Sequence, residues 1–156
     1  PVRKKLGVQG IAIPVGNSTL KNQGFTKLGT ARDLLGRYQG RTGFAQRAWI
    51  KNNEAAVIGF MHSYRDAMNW LYDRNNRAAA AELLMSHDVS VTPELARLSL
   101  DILLDDKGGF WRDVALDLEG IRTVLALRTR FGVPQKTLTD PLRYVDLELH
   151  RKAFGG

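Results

Sequence analysis

The stretch from Asn53 to Asp73 constrains the fold more than any other part of this sequence. It reads NEAAVIGFMHSYRDAMNWLYD, and its apolar residues recur every three or four positions, as on one face of a helix. Those residues are Val57, Phe60, Met61, Tyr64, Met68 and Leu71. Asn53 can cap the first amides, and Glu54 suits the positive end of the helix dipole. We predict a core helix of about twenty residues around which the fold is organised.

Helical patterning continues after this stretch. Arg77–Met85 is alanine-rich, and Thr92-Pro93 is a strong helix start for a segment that runs to Leu104. Further helices are predicted from Asp117 to Phe131 and from Asp140 to Phe154. The sequence from Asn53 onward therefore predicts about five helices.

The first third of the sequence has a different character. Short strands are predicted at Gly7–Pro14, Phe25–Leu28 and Thr42–Gln46 from β-branched or alternating residues. Thr30 and Asp33 are spaced like a capping box and predict a single helical turn over Ala31–Leu35. We therefore divide the chain into residues 1–52, a crossing segment with short strands, and residues 53–156, a helical part.

Composition excludes several classes of protein. The chain has 156 residues, which suits one domain, and no cysteine, so that disulfide frameworks and thiolate sites are ruled out. No apolar run reaches the roughly 20 residues that span a bilayer. The chain starts PVRKKLG without the apolar region of a secretory signal, so for an exported protein the start is expected upstream.

Charge is distributed unevenly along the chain. The net charge is +7, and the first 51 residues hold ten Lys or Arg against one acid, Asp33. A basic first third is compatible with nucleic acid, an acidic lipid surface or a small anion as partner. Because no nucleic-acid docking motif accompanies the charge, nucleic acid is not the expected partner, and a basic nucleic-acid-binding domain is kept as a third alternative.

No constellation of catalytic or metal-binding residues stands out. The three histidines lie far apart without metal-ligand spacing, and the acids between Asp105 and Glu119 are placed as helix caps and dipole partners. Gly108-Gly109 lacks the Lys-Ser/Thr of a phosphate loop, and no serine sits in a nucleophile elbow. We therefore expect no enzyme activity, no metal and no cofactor.

Four stretches together resemble one protein family. They are QGFTKLG (Gln23–Gly29), YQG followed by RAWIKNN (Tyr38–Asn53), AMNWLYD (Ala67–Asp73), and DLEGIRTVLALRTRFG with LTDPLRYVDL (Asp117–Leu147). Their order and spacing resemble the C-terminal half of bacterial periplasmic solute-binding proteins of the nitrate, sulfonate, taurine and thiamine-precursor ABC importers. The resemblance covers the chain from about Ile11 onward.

The resemblance implies a fold and a function. The fold would be α/β and helix-rich, the C-terminal portion of a type II periplasmic-binding fold, in which two lobes close as a clamp. The protein would bind a small solute in the periplasm, a sulfonate, nitrate or related anion, and hand it to an ABC permease. The polar residues nearest the expected cleft are the candidate ligand-binding residues, namely Asn17, Tyr38, Gln39 and Arg41. At the crossing, Ile13-Pro14 stands where relatives often carry a carboxylate before proline.

The same resemblance leaves an alternative open. The opening strands of the first lobe and most of the second lobe are expected to lie outside this sequence. Unpaired strand edges would then favour a homodimer or docking onto a separate N-terminal half. The leading alternative is therefore an incomplete relative that serves as an interaction or oligomerisation module and binds no solute.

Overall fold

Helices and loops make up the part of the chain that the computed structural model describes, residues 24–106 and 108–155. In chain order the helices are α1 (Ala31–Leu35), α2 (Arg47–Asn52), α3 (Glu54–Tyr72), α4 (Arg77–His87), α5 (Pro93–Leu103), α6 (Leu118–Phe131) and α7 (Glu148–Phe154), with 3-10 turns at Arg74–Asn76 and Pro141–Arg143. Residues 24–28 and 73–110, apart from 107, belong to one compact unit, and residues 29–72 and 111–155 belong to a second.

The predicted α/β fold is wrong, because no strand occurs in the described ranges. Phe25–Leu28 and Thr42–Gln46 are irregular and largely exposed, and the side chain of Phe44 is 97% exposed. An alternating pattern shows which face of a strand would be buried, but a strand also needs a neighbour for its backbone hydrogen bonds. The predicted strand at Gly7–Pro14 lies outside the described residues. The described chain is therefore not a type II periplasmic-binding fold.

The first unit is built on the pair α4 and α5. Thr92 caps α5 through a hydrogen bond from the Leu95 amide at 3.2 Å, and Pro93 follows at the first helical position. Ala80 of α4 and Ala96 of α5 are buried, and small side chains at such positions let two helices approach closely. The buried apolar residues of this unit are Ala80, Val91, Ala96, Leu100 and Leu104.

The second unit joins segments that are distant in sequence. Helix α3 packs against α7, and the Lys152 ammonium contacts the Glu54 carboxylate at 3.0 Å across 98 positions of chain. The ring of Phe154 makes edge contacts with His62 and His150, at centroid distances of 5.1 and 4.9 Å. Helix α6 packs against the 3-10 turn at Pro141–Arg143.

The predicted long helix is confirmed, but its expected burial is only partly present. Helix α3 spans Glu54–Tyr72, and Met68 is the one buried residue on it. Of the other residues expected on the core face, Val57, Met61, Tyr64 and Leu71 are half-buried, and Phe60 is 67% exposed. None of the described helices combines the length and hydrophobicity needed to cross a lipid bilayer.

The shorter helices predicted from the sequence agree in part with the observed ones. The predicted turn at Ala31–Leu35 is α1, and its capping box between Thr30 and Asp33 is formed in both directions, at 3.1 Å each. The last predicted helix divides into the 3-10 turn at Pro141–Arg143 and α7, because residues 144–147 leave the helical path. The helices predicted around Arg77, Pro93 and Leu118 are confirmed as α4, α5 and α6.

Candidate ligand-binding site

A buried carboxylate joins two distant parts of the second unit. Asp117 directly precedes α6, and its side chain is 6% exposed. Arg37, 80 positions earlier, donates from Nε to Oδ2 at 2.9 Å and places Nη2 2.7 Å from Oδ1. The Nε–Oδ2 contact is a hydrogen bond between ionised groups, which is stronger than one between neutral groups. The Nη2–Oδ1 contact is an ion contact, and the buried Oδ1 accepts no hydrogen bond from the described residues. The two contacts fix the segment around Arg37 against the start of α6.

Gln39 makes a second tie to the same residue. The backbone amide of Asp117 donates to Gln39 Oε1 at 3.0 Å, and Gln39 Nε2 donates to the Arg41 carbonyl at 2.6 Å. Both ends of the Gln39 amide are therefore engaged in holding backbone. The backbone of Arg41 is placed beside the carboxylate as a consequence.

Gly120 permits the close approach of these segments. A Cβ atom at this position would lie 2.7 Å from the Gln39 backbone nitrogen and 3.0 Å from the Tyr38 carbonyl carbon. Residue 120 is buried in the first turn of α6, so a side chain there has no space without moving the backbone of Tyr38 and Gln39. The absence of a side chain at this position is thus part of the site.

The charges at this site perturb each other. Burial acts to raise the pKa of Asp117, but the Arg37 hydrogen bond, the amides of Gly120 and Glu119 and the Arg37 charge together lower it below its ordinary value. The hydrogen bond and charge of Asp117 raise the pKa of Arg37. Both side chains are therefore ionised at neutral pH, and the pair is locally close to neutral.

Exposed cationic and aromatic side chains belong to the segments that hold the buried carboxylate. The Arg37 side chain is 60% exposed, and its Cζ atom lies 5.7 Å from the centre of the Trp111 ring. Tyr38 and Trp111 are 45% and 46% exposed, and Arg41 is exposed as well. We call these four residues, Arg37, Tyr38, Arg41 and Trp111, the Arg37 surface. Its groups offer hydrogen-bond donors, positive charge and aromatic faces, which suit an anion.

The loop that carries Trp111 is held on both sides. The Arg112 guanidinium lies 3.8 Å from the centre of the Tyr72 ring, and a ring nitrogen of His150 is 2.9 Å from the Asp113 carbonyl. Val114 has a φ of 60°, which is uncommon for a branched residue and is maintained only where surrounding contacts impose it. Trp111 is therefore presented from a fixed segment.

The four candidate ligand-binding residues proposed from the sequence do not all lie on one surface. Tyr38 and Arg41 belong to the Arg37 surface, whereas Gln39 lies behind it and fixes backbone. Asn17 lies outside the described residues. Whether any of the four contacts a ligand stays a prediction.

Sequence reasoning missed Arg37, Trp111 and the role of Gly120. The available signal was that YQG and DLEG both belong to the stretches that carry the family resemblance. Nothing in one sequence pairs them, because Arg37 and Asp117 are joined only by folding. Asp117 itself was interpreted as a helix start, which left its ion pair unseen.

No metal centre is present in the described part of the chain, where no three His, Asp or Glu side chains gather. His62 and His150 instead flank the Phe154 ring.

No family model, curated protein or solved structure matches this chain significantly. The site is accordingly interpreted from its own geometry.

Proposed function

We propose that this chain binds a small anionic solute, without catalysis, as part of the periplasmic binding component of an ABC importer. One observation carries the proposal. Two stretches that carry the family resemblance, Tyr38–Asn53 and Asp117–Leu147, meet behind the Arg37 surface, through Gln39 with Asp117 and through the backbone at Gly120. The proposal concerns the function and not the two-lobed clamp, since the described residues form no sheet.

The chemistry of the Arg37 surface supports an anion. Asp117 engages one edge of the Arg37 guanidinium, and Arg41, four positions further along the chain, adds an exposed positive charge. Hydrogen bonds to charged groups are stronger than those between neutral groups, so a sulfonate or nitrate would gain most from this pair of cations. The expected solutes are therefore a sulfonate, nitrate or a related anion, delivered to the permease.

The experiment is calorimetric titration of the chain with taurine, methanesulfonate and nitrate. At least one anion should bind saturably, and Arg41→Gln should weaken binding by up to about fivefold, the effect of an exposed ion pair of at most about 1 kcal/mol. Arg151→Gln, an exposed arginine near the end of α7, is the matched control and should leave binding unchanged. A cooperatively folded chain that binds none of these anions would overturn the proposal.

A second candidate function is an interaction or oligomerisation module that binds no solute. The observation that favours it is the exposure of large apolar side chains on α3, where Phe60 is 67% exposed and Trp70 is 38% exposed. Sedimentation analysis over a range of concentrations tests it. Self-association that Phe60→Glu abolishes and Val89→Glu, at another exposed apolar position, leaves intact would support this module. A monomer at all concentrations, with no dependence on Phe60, would contradict self-association through α3.

A further inference from the structure

We infer that the ligand of the Arg37 surface is an anion joined to a planar aromatic group, such as an arylsulfonate. This inference rests on the proposed function and names the class of solute. It follows from the geometry of Arg37, from the exposure of Trp111 and from the rigidity of both segments.

The Arg37 guanidinium has donors left for a second acceptor. A guanidinium carries five N–H donors, and Asp117 engages the edge formed by Nε and Nη2. Within residues 24–106 and 108–155, no acceptor bonds to Nη1, and the side chain is largely exposed. The outer edge of the guanidinium therefore faces solvent while Asp117 fixes its orientation.

A bare inorganic anion gains less from this arrangement than an anion that also adds contact area. Asp117 compensates the charge of Arg37 within 2.7 Å, and Arg41 is exposed to water, where an ion pair contributes at most about 1 kcal/mol. A ligand that binds well must therefore add contact area. The area available beside the guanidinium is aromatic.

Trp111 supplies that area. Its ring lies beneath Arg37 and about half of its surface remains exposed, and Tyr38 is exposed to a similar degree with its ring against Gly40. Aromatic faces favour offset stacking with planar groups, and arginine stacks well on the same rings. A planar group on Trp111 with its anionic substituent at the outer edge of Arg37 satisfies both parts of the surface.

The two parts are preorganised, so that little entropy is lost on binding. Gln39 and the absence of a side chain at Gly120 hold the Arg37 segment against α6. The contacts of Arg112 with Tyr72 and of Asp113 with His150 hold the loop of Trp111. Exposed side chains on fixed backbone are typical of binding surfaces.

The experiment compares three probes by calorimetric titration of the full chain. They are p-toluenesulfonate, which has ring and charge, methanesulfonate, which has charge alone, and p-toluenesulfonamide, which has the ring without the charge. p-Toluenesulfonate should bind at least tenfold more tightly than either of the others. Trp111→Ala should lower its affinity about tenfold, as stacking on one ring does elsewhere, and leave that of methanesulfonate unchanged.

One further variant is a control, and a second tests the donor edge of Arg37. Trp70→Ala removes an exposed tryptophan on α3 and should change no affinity. Arg37→Lys keeps the charge opposite Asp117 but removes the second donor edge, so it should weaken p-toluenesulfonate more than p-toluenesulfonamide. Circular dichroism of each variant verifies that the helices are retained.

The outcomes separate this inference from the proposed function. If methanesulfonate binds as tightly as p-toluenesulfonate and Trp111→Ala changes neither, the inference is overturned and the proposed function stands. If p-toluenesulfonamide binds equally well, the surface recognises the ring alone, and the inference is again overturned. If no sulfonate, taurine or nitrate binds the folded chain, both are overturned.

Discussion

Helices α5 and α3 are both amphipathic but differ in how many of their residues are buried. Helix α5 has 11 residues, of which Ala96, Ser99 and Leu100 are buried, whereas α3 has 19 residues and buries only Met68. The partner of α5 is α4, of the same length and joined to it by the short loop 88–92. The partner of α3 is α7, whose 7 residues extend about 10 Å along a helix of about 28 Å. An apolar face is thus buried only as far as its partner reaches.

Truncating one side chain on each helix tests this difference in burial. Leu100→Ala on α5 should lower the free energy of unfolding by about 2–5 kcal/mol, because it empties a buried position. Phe60→Ala on α3 should change it by no more than about 0.5 kcal/mol, because the side chain is already exposed to water. Urea denaturation measures both. Equal losses would mean that the face of α3 is covered in solution.

The second unit is stabilised by a buried ion pair in addition to its buried apolar side chains. Asp117→Asn removes a charge-assisted hydrogen bond and an ion contact with Arg37 and should cost about 1–3 kcal/mol, reduced from the fully buried case because Arg37 can be rehydrated. Asp101→Asn, an exposed partner of Arg97, is the matched control and should cost less than 1 kcal/mol.

The pH dependence of the stability difference between wild type and Asp117→Asn tests whether that difference is electrostatic. The pKa of Asp117 is lower in the folded chain than its unfolded value of about 3.9. Its contribution is therefore complete above the unfolded pKa and is lost as pH falls through the folded pKa. Denaturation series at several pH values should show a constant gap between wild type and Asp117→Asn above pH of about 5, and a shrinking gap below about 4. A gap that does not change with pH would point to packing instead.

Substitution of two glycines tests whether the surfaces of α6 and α3 at these positions are covered by neighbouring residues. Gly120→Ala on α6 forces a Cβ to 2.7 Å from the Gln39 nitrogen and should cost about 1–3 kcal/mol despite better helix propensity. Gly59→Ala on α3 meets nothing within 4 Å and should stabilise by about 0.5–1 kcal/mol. Thermal unfolding of the two variants gives the signs directly. A destabilising Gly59→Ala would reveal a neighbour packed on α3.

The smallest expected effect concerns a polar group inside the first unit. The Ser99 hydroxyl is buried and has no hydrogen-bond partner among the described residues. Ser99→Ala removes this uncompensated group with almost no change in volume and should be neutral or stabilising by up to about 1 kcal/mol. Ser90→Ala is the contrasting variant, since that hydroxyl donates to Asp88 at 2.6 Å on the surface. A clear loss at Ser99 would indicate a buried water or a bond formed in solution.

The helices and their limits were largely predictable because the relevant interactions are local. Thr92-Pro93 set the start of α5, and Thr30 with Asp33 set α1, each through contacts within one helical turn. The strands at Phe25–Leu28 and Thr42–Gln46 were wrong because a strand is stabilised by a neighbour that the local pattern does not contain. Sequence reasoning proposed Tyr38 and Arg41 but missed Arg37 and Trp111. The reason is the same, because the local pattern does not show which distant segments come together.

The sequence by itself determined where helices form, since capping, propensity and three-and-four periodicity act over a few residues. Tertiary structure alone decided that Arg37 meets Asp117 across 80 positions, that Gly120 gives room to Gln39, and that Phe60 on α3 stays exposed. These features depend on which distant segments approach each other. Such approach is set by the sum of many weak contacts along the whole chain, and no single stretch of sequence encodes it.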